Sequence, residues 1–364
     1  MDPLPTLPHV ERVARLRLIR TESVGPITYR QLVARFGTGV AALEALPTLA
    51  RRGGRTKPPA TPSKAAVERE LAAAQALGAA ALFLDEAAYP PLLAAIEDAP
   101  PLIYAQGHRH LLERPGIGIV GARNASASGR RLARDLATAL ADAGVIVVSG
   151  LARGIDTAAH QGALAGGTVA VVAGGLDIVY PPENAELQQA IVAQGLVMTE
   201  APPGTEPQAR HFPRRNRIIS GLVRGIVVIE AAARSGSLIT ARLAGEQGRD
   251  VFAVPGSPLD PRSAGTNRLL KEGATLVETA DDILDALQSL PDPLREPSET
   301  PPFAAGTGSA ADEPSDAERQ AIKDLLSYAP TQVDSLVQES GLTVNRVLTI
   351  LLELELGGVI QRHP

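Results

Sequence analysis

The stretch GIGIVGA, residues 116–122, decides the fold. It is an apolar run closing on glycine, and SGRRLARDLATALADAG (128–144) behind it carries apolar residues at helical spacing before a terminal glycine. The same unit recurs. VIVVSG (145–150) leads into IDTAAHQGALAGG (155–167), and TVAVVAGG (168–175) precedes AELQQAIVAQG (185–195). GIVVIEA (225–231) precedes SLITARLAGEQG (237–248), and DVFAVPG (250–256) follows. Apolar runs without alternation mark strands buried on both faces, and their alternation with helices requires right-handed crossovers. The reading is α/β: an extended Rossmann-like, doubly wound, mostly parallel sheet. Ligands of such sheets bind beyond the carboxyl ends of the strands. Several runs end there in small residues, among them Gly121, Gly150, Gly174, Gly175 and Gly256. Glycine allows close backbone approach and leaves amides free at helix starts, although tight turn geometry alone also favours it.

GIGIVGA contains a formal G-x-G-x-x-G at Gly116, Gly118 and Gly121, but the first two glycines precede or lie within the strand, so it is not a dinucleotide fingerprint. No Gly-Lys dipeptide occurs, which removes the P-loop. The six histidines show no metal-ligand spacing, and no cofactor is expected. Asp156 and His160, four apart on a helix, are better read as structural than as an acid–base pair. Ser149, Ser235 and Ser237 lie outside any G-x-S-x-G, with no visible partner. ARSGSLIT (233–240) reads as amides and hydroxyls at a helix start, suited to phosphate, with N-capping by Ser235 or Ser237 as the equal alternative.

Around this middle lie two flanking regions. Residues 1–84 form a small all-α domain of short helices broken at Gly25-Pro26 and Gly37, with a Gly/Pro/basic linker near 51–64. Residues 85–288 carry the sheet, 289–314 are a Pro-, Ser- and acid-rich tether expected to be disordered, and 315–364 form a last small domain. With 364 residues, 45% apolar content and 21% charged residues, the chain supports a real core. There are no cysteines, no apolar run of membrane-spanning length and no signal peptide, so a cytoplasmic protein is expected.

Net charge is −5, yet residues 116–277 hold sixteen bases against thirteen acids, whereas 312–364 hold nine acids against four bases. Positive charge concentrates in RHFPRRNR (210–217), where Phe212, Arg214, Arg215, Asn216 and Arg217 stand without a carboxylate. Arginine's planar fork grips phosphate, and an interleaved phenylalanine offers a face to an unstacked base. Pro213 disfavours a basic duplex-reading helix, so single-stranded nucleic acid is the better match. The competing reading buries Phe212 and pairs some of the arginines with Glu200, Glu206 or Glu230.

IVGARNASASG (119–129), SGLARGIDTAAHQGAL (149–164), AVVAGGLDIVYPPEN (170–184), TEAPPGTEPQARHFPRRNRIISGL (199–222), VVIEAAARSGSLITARLAGEQGRDVFAVPGS (227–257) and GTNRLLKEGATLV (265–277) follow in order. Together they closely resemble the DprA (Smf) family, the DNA-processing proteins of bacterial natural transformation. The resemblance covers roughly residues 85–280. It implies sequence-independent binding and protection of single-stranded DNA, loading of RecA, a homodimer through the Rossmann-like domain, and no enzymatic activity. Carried over by position, it assigns single-strand binding to Arg123, Phe212, Pro213, Arg215, Asn216, Arg217, Arg234, Ser235, Gly236 and Ser237, and single-strand binding is expected of Gly121, Gly150, Arg153 and Arg214 as well. Where the family usually has a serine after the first strand, this chain has Ala122, so one hydroxyl contact to phosphate is lost.

SVGPITYRQLVARFGT (23–38) resembles a helix-hairpin-helix, and the family often carries a sterile-alpha-motif-like domain there. The tail reads as helices 316–328, 332–341 and 343–357 and a strand 358–364, a winged-helix pattern. Its acidity argues for protein contacts over duplex DNA. The rival reading is a nucleotide-processing Rossmann enzyme of the phosphoribohydrolase (lysine-decarboxylase-like) type. Those enzymes carry P-G-G-x-G-T-x-x-E where this chain has ARSGSLITA, which lacks the double glycine and the glutamate.

Overall fold

The computed structural model describes residues 6–289, 313–327 and 329–361. It divides into two compact units, one from Arg69 onward through the sheet, the other from Thr6–Glu68 together with the C-terminal segment. The expected tether falls almost wholly outside the described residues.

Nine strands form one sheet: β1 (Ala80–Phe83), β2 (Leu102–Gly107), β3 (Gly116–Gly121), β4 (Ile146–Ser149), β5 (Thr168–Val171), β6 (Leu196–Thr199), β7 (Gly225–Ile229), β8 (Asp250–Ala253) and β9 (Thr275–Leu276). Their order is β1-β2-β6-β5-β4-β3-β7-β8-β9. All pairs from β6 to β9 are parallel, while β2 runs antiparallel to both β1 and β6. The chain winds outward from β3 through β4, β5 and β6, then crosses back to β7 and winds the other way. β3 and β7 therefore flank the switch point of a doubly wound sheet. The sheet also begins before the boundary expected at residue 84, because Ala80–Phe83 pairs in register with Leu102–Ala105.

Alternate residues of the central strands face two separate cores. Ile117, Ile119, Val147, Val227 and Ile229 pack with Leu136, Leu140, Ile155 and Ile283 on one face. Val120, Val148, Ile226 and Val228 pack with Ile218, Ile219, Leu93 and Ala241 on the other. The glycines inside β3 belong to this packing. A Cβ on Gly118 would stand 2.2 Å from Ile226 Cδ1, and one on Gly116 would stand 3.2 Å from the Ile146 side chain. Their absent side chains let neighbouring branched residues close over the strand.

RHFPRRNR does enter a helix, against the reading that its proline disfavours one. Helix His211–Gly221 starts inside it, with Pro213 as its third residue. The first-turn amides of a helix have no intrahelical acceptor, so proline costs no hydrogen bond there.

In the second unit, helices His9–Ile19, Pro26–Phe36 and Gly39–Arg52 share a core with helix Val344–Leu356. Leu352 and Leu356 join Leu18, Leu32, Leu46 and Leu49 in that core. Gly53 abuts the far helix so closely that a Cβ would fall 1.8 Å from the Glu353 carbonyl oxygen. Thr28 Oγ1 donates to Glu355 at 2.9 Å. The Glu353 carboxylate is fully buried and receives Arg319 through Nε at 2.7 Å and Nη2 at 3.1 Å. The two terminal segments lie in one compact unit, because helix Val344–Leu356 has a second apolar face. Helices Asp316–Leu325 and Val333–Ser340 complete the C-terminal part. Residues 358–361 of the expected tail strand have no strand pairing, and 362–364 lie outside the described residues.

Candidate nucleic-acid interface

The loops after β3 and β7, the loop after β5 and the start of helix His211–Gly221 meet at the switch point. Between them lies a cleft of about 690 Å³, beside a smaller pocket of about 60 Å³. Arg123, Ala152, Phe212 and Arg215 line both. Gly121, Asn216, Arg234, Ser235, Gly236 and Ser237 line the cleft, and Gly150 and Arg153 line the pocket. Of the residues expected to bind single strands, Arg214 and Arg217 line neither.

The arginines divide by environment. Arg123 is exposed, with its guanidinium carbon 5.0 Å from the Phe212 ring centroid. The other side of this group is Tyr180, 47% exposed, whose ring centroid lies 5.5 Å from that of Phe212 at a 50° tilt. Phe212 is half-buried and lines both cavities. Tyr180 escaped the sequence reading; the signal was an aromatic residue in DIVYPPEN, the loop behind a buried strand. Arg234 is exposed at the cleft rim.

Arg217 is turned inward. Its Nη2 lies 2.5 Å from Glu200, its Nη1 2.6 Å from the Asp98 carbonyl oxygen and its Nε 3.4 Å from the Asp98 carboxylate. Arg214 is exposed and pairs with the same Glu200 at 2.7 Å. Both therefore follow the competing reading, in which acids elsewhere in the chain take up the basic run. Arg153, also exposed, is paired with Glu183.

Arg215 forms part of a buried polar layer under the pocket. Its Nη1 donates to the Val171 carbonyl at 3.0 Å, and its Nε has no hydrogen-bond partner. Burial pushes its guanidinium down to about 10, while the Asp156 carboxylate favours the charged form. Asp156 accepts from the amides of Gly150 at 3.1 Å and Ala152 at 3.3 Å, and burial raises its carboxyl above the ordinary value. His160 is fully buried. Its Nε2 accepts from the Leu151 amide at 3.3 Å, and its Nδ1 donates to Thr168 Oγ1 at 2.7 Å, whose hydrogen goes to the Val147 carbonyl. Burial, reinforced by Arg215, lowers the imidazole to about 3. The ring is neutral, with both nitrogens satisfied.

Gly121 and Gly150 leave room for protein groups. A Cβ on Gly121 would fall 1.9 Å from the Ile229 carbonyl oxygen, and one on Gly150 would fall 1.5 Å from Arg215 Nη1. The close approach read from sequence is made by the fold itself.

Two helix N-termini border the switch point. Helix Gly236–Glu246 is capped by Ser235, whose Oγ accepts from the Ser237 amide at 3.4 Å and lies 2.7 Å from Ser237 Oγ. Gly236 is exposed at its first turn, so hydroxyls and amides face the cleft beside Arg234. Ser235 thereby serves as a cap and lines the cleft as well. Helix Ala127–Asp142 is capped by Ser126, which is bonded to the Glu230 carboxylate. Among the described residues no cluster of acids and histidines could hold a metal ion, and no single helix is long and apolar enough to cross a membrane.

Residues 80–288 match the family model for DNA recombination-mediator protein A. Residues 9–73 match the DprA-like N-terminal HHH domain, and residues 307–364 match the DprA winged helix domain. Protein Smf of Escherichia coli is 40% identical over 294 residues, covering 77% of this chain and 74% of that protein. The DNA processing protein DprA of Streptococcus pneumoniae is 48% identical over 198 residues, covering 54% of this chain and 70% of the relative. The crystal structure of the latter superposes with a TM-score of 0.58 at 43% identity, over 62% of this chain and 78% of that one. DNA processing protein A of Helicobacter pylori, described for its single-stranded DNA binding mode, superposes with a TM-score of 0.54 at 29% identity, over 58% and 95% of the two chains. A family match across the whole sheet, joined to matches at both ends, places this chain in the DNA recombination-mediator protein A (DprA/Smf) family.

Proposed function

We propose that the chain binds single-stranded DNA without sequence preference in the cleft between the ends of β3 and β7, protects it and hands it to RecA, acting as a homodimer through the Rossmann-like domain and catalysing no reaction. The observation that carries this reading is the convergence of Arg123 with Phe212 and Tyr180, next to the open start of helix Gly236–Glu246. A strand needs a cation for its phosphates and an aromatic face for an unstacked base, and the site offers both within one cleft. The Helicobacter pylori relative, known by its single-stranded DNA binding mode, supports the same ligand. In the terminal unit, helix Val344–Leu356 spends Leu352 and Leu356 on the N-terminal helices, so that face is withdrawn from any DNA groove. With the acidity of the tail, this favours protein contacts there.

The test is a titration with fluorescent oligothymidylate and with a duplex of equal length, at several salt concentrations, using the wild type and Arg123→Ala. Single strands should bind more tightly, with steep loss on added salt, and Arg123→Ala should reduce the salt slope by about one. Equal affinity for the two forms would overturn the proposal. Release of a base from a nucleoside monophosphate would place the protein with the phosphoribohydrolases instead.

A further inference from the structure

Glu230 ends the loop side of β7 in a left-handed backbone conformation, φ 51°. Its carboxylate reaches across to the helix that follows β3, where it accepts from the Ser126 amide at 2.8 Å and from the Ser126 hydroxyl. Gly129 lies flush beneath it: a Cβ there would fall 2.6 Å from the Glu230 carboxyl carbon. In a dinucleotide-binding Rossmann sheet this helix start receives the ligand's pyrophosphate, held by amides and the helix dipole. Here a carboxylate of the protein occupies that place. It is covalently tethered and charged, so a free pyrophosphate must displace it and then meet its repulsion. The other helix start at the switch point is left open, with Gly236 exposed and no atom within 4 Å of where its Cβ would stand.

We propose that Glu230 is a specificity-determining residue: it closes the first helix start to nucleotide pyrophosphates, so that the crevice takes separated phosphodiesters and rejects dinucleotides and nucleoside diphosphates. The proposal deepens the single-strand reading and rests on it for the identity of the accepted ligand, but not for the identity of the rejected one. Glu230 acts here as an internal anion and touches no DNA itself.

The experiment is calorimetric titration of inorganic pyrophosphate and of NAD⁺ into the wild type, Glu230→Gln and Glu230→Ala, with fluorescent oligothymidylate binding measured in parallel. The wild type should bind neither probe measurably. A folded variant should bind pyrophosphate at least about tenfold more tightly than the wild type, because freed amides and a removed like charge both favour the anion. Glu230→Gln keeps the length of the side chain and one acceptor, so it decides the matter if the alanine variant unfolds. Pyrophosphate binding by the wild type as tight as by the variants overturns the proposal, and so does a folded pair of variants with no gain. Gain of pyrophosphate binding in a protein that binds no oligothymidylate would uphold the role of Glu230 and remove the single-strand reading alone.

Discussion

Gly150 and Arg215 share one volume. A methyl group on the glycine would fall 1.5 Å from the arginine's Nη1, which is bonded to the Val171 carbonyl 3.0 Å away. Arg215 cannot swing aside freely, since it is 5% exposed and faces the buried Asp156 carboxylate. Gly150→Ala is therefore expected to lower stability by about 1–3 kcal/mol through overpacking. Urea unfolding with an unchanged m-value would register it.

Phe212→Ala is expected to weaken oligothymidylate binding by about 1–3 kcal/mol, roughly 5- to 150-fold in Kd, if one base stacks on the ring. The salt slope should stay as in the wild type, because no cation is removed. Fluorescence anisotropy at two salt concentrations separates this from loss of Arg123.

Arg217→Ala should act on stability more than on binding. It breaks a buried pair with Glu200, whose remaining partner is the exposed Arg214, and a loss of about 3 kcal/mol is expected. Arg214→Ala, on a guanidinium whose side chain is 58% exposed, should cost less than about 1 kcal/mol. Unfolding midpoints of the two variants, side by side, check the contrast.

His160 gives an acid limb to the stability profile. Its folded value of about 3 lies below the ordinary 6.5, so the unfolded chain binds the extra proton between those limits. The stability due to the neutral ring is complete above that window and lost as pH falls through it, with a slope of at most about 1.4 kcal/mol per pH unit. Asp156, whose carboxyl is raised, contributes a slope of opposite sign. The difference between wild type and His160→Gln isolates the imidazole, and the variant should show the shallower acid limb.

Glu353→Ala leaves Arg319 without the buried carboxylate that receives its Nε, and is expected to cost the terminal unit about 3–5 kcal/mol. Hydrogen–deuterium exchange should quicken in helices Gly39–Arg52 and Val344–Leu356 and remain unchanged in β3 and β7. Uniform quickening would contradict the division into two units.

Much of the sheet was legible because its central strands are apolar, β-branched runs ending in glycine. β1, β2, β6 and β9 escaped. The last is two residues long, and β1 and β2 precede the alternating pattern. The site was legible as a set of residue types around strand ends. Their orientation was not, because the burial of Arg215 depends on the Val171 carbonyl, 44 residues away, which only the folded sheet brings near. The helix beginning at His211 was hidden by Pro213, whose cost vanishes in a first turn. Glu230 had been weighed as a partner for arginine; its actual partner, Ser126, is 104 residues away.

The bond from Thr28 to Glu355 joins residues 327 apart, and the seam of Leu46 and Leu49 is closed by Leu352 and Leu356. Domains generally fold as they emerge, N-terminal first. For this chain helices Pro26–Phe36 and Gly39–Arg52 cannot bury their apolar seam until helix Val344–Leu356 has left the ribosome. The sheet lies between them in sequence and can mature in the interval. A ribosome that stops short of helix Val344–Leu356 releases a protein whose sheet can form while helices Pro26–Phe36 and Gly39–Arg52 keep an uncovered apolar stripe.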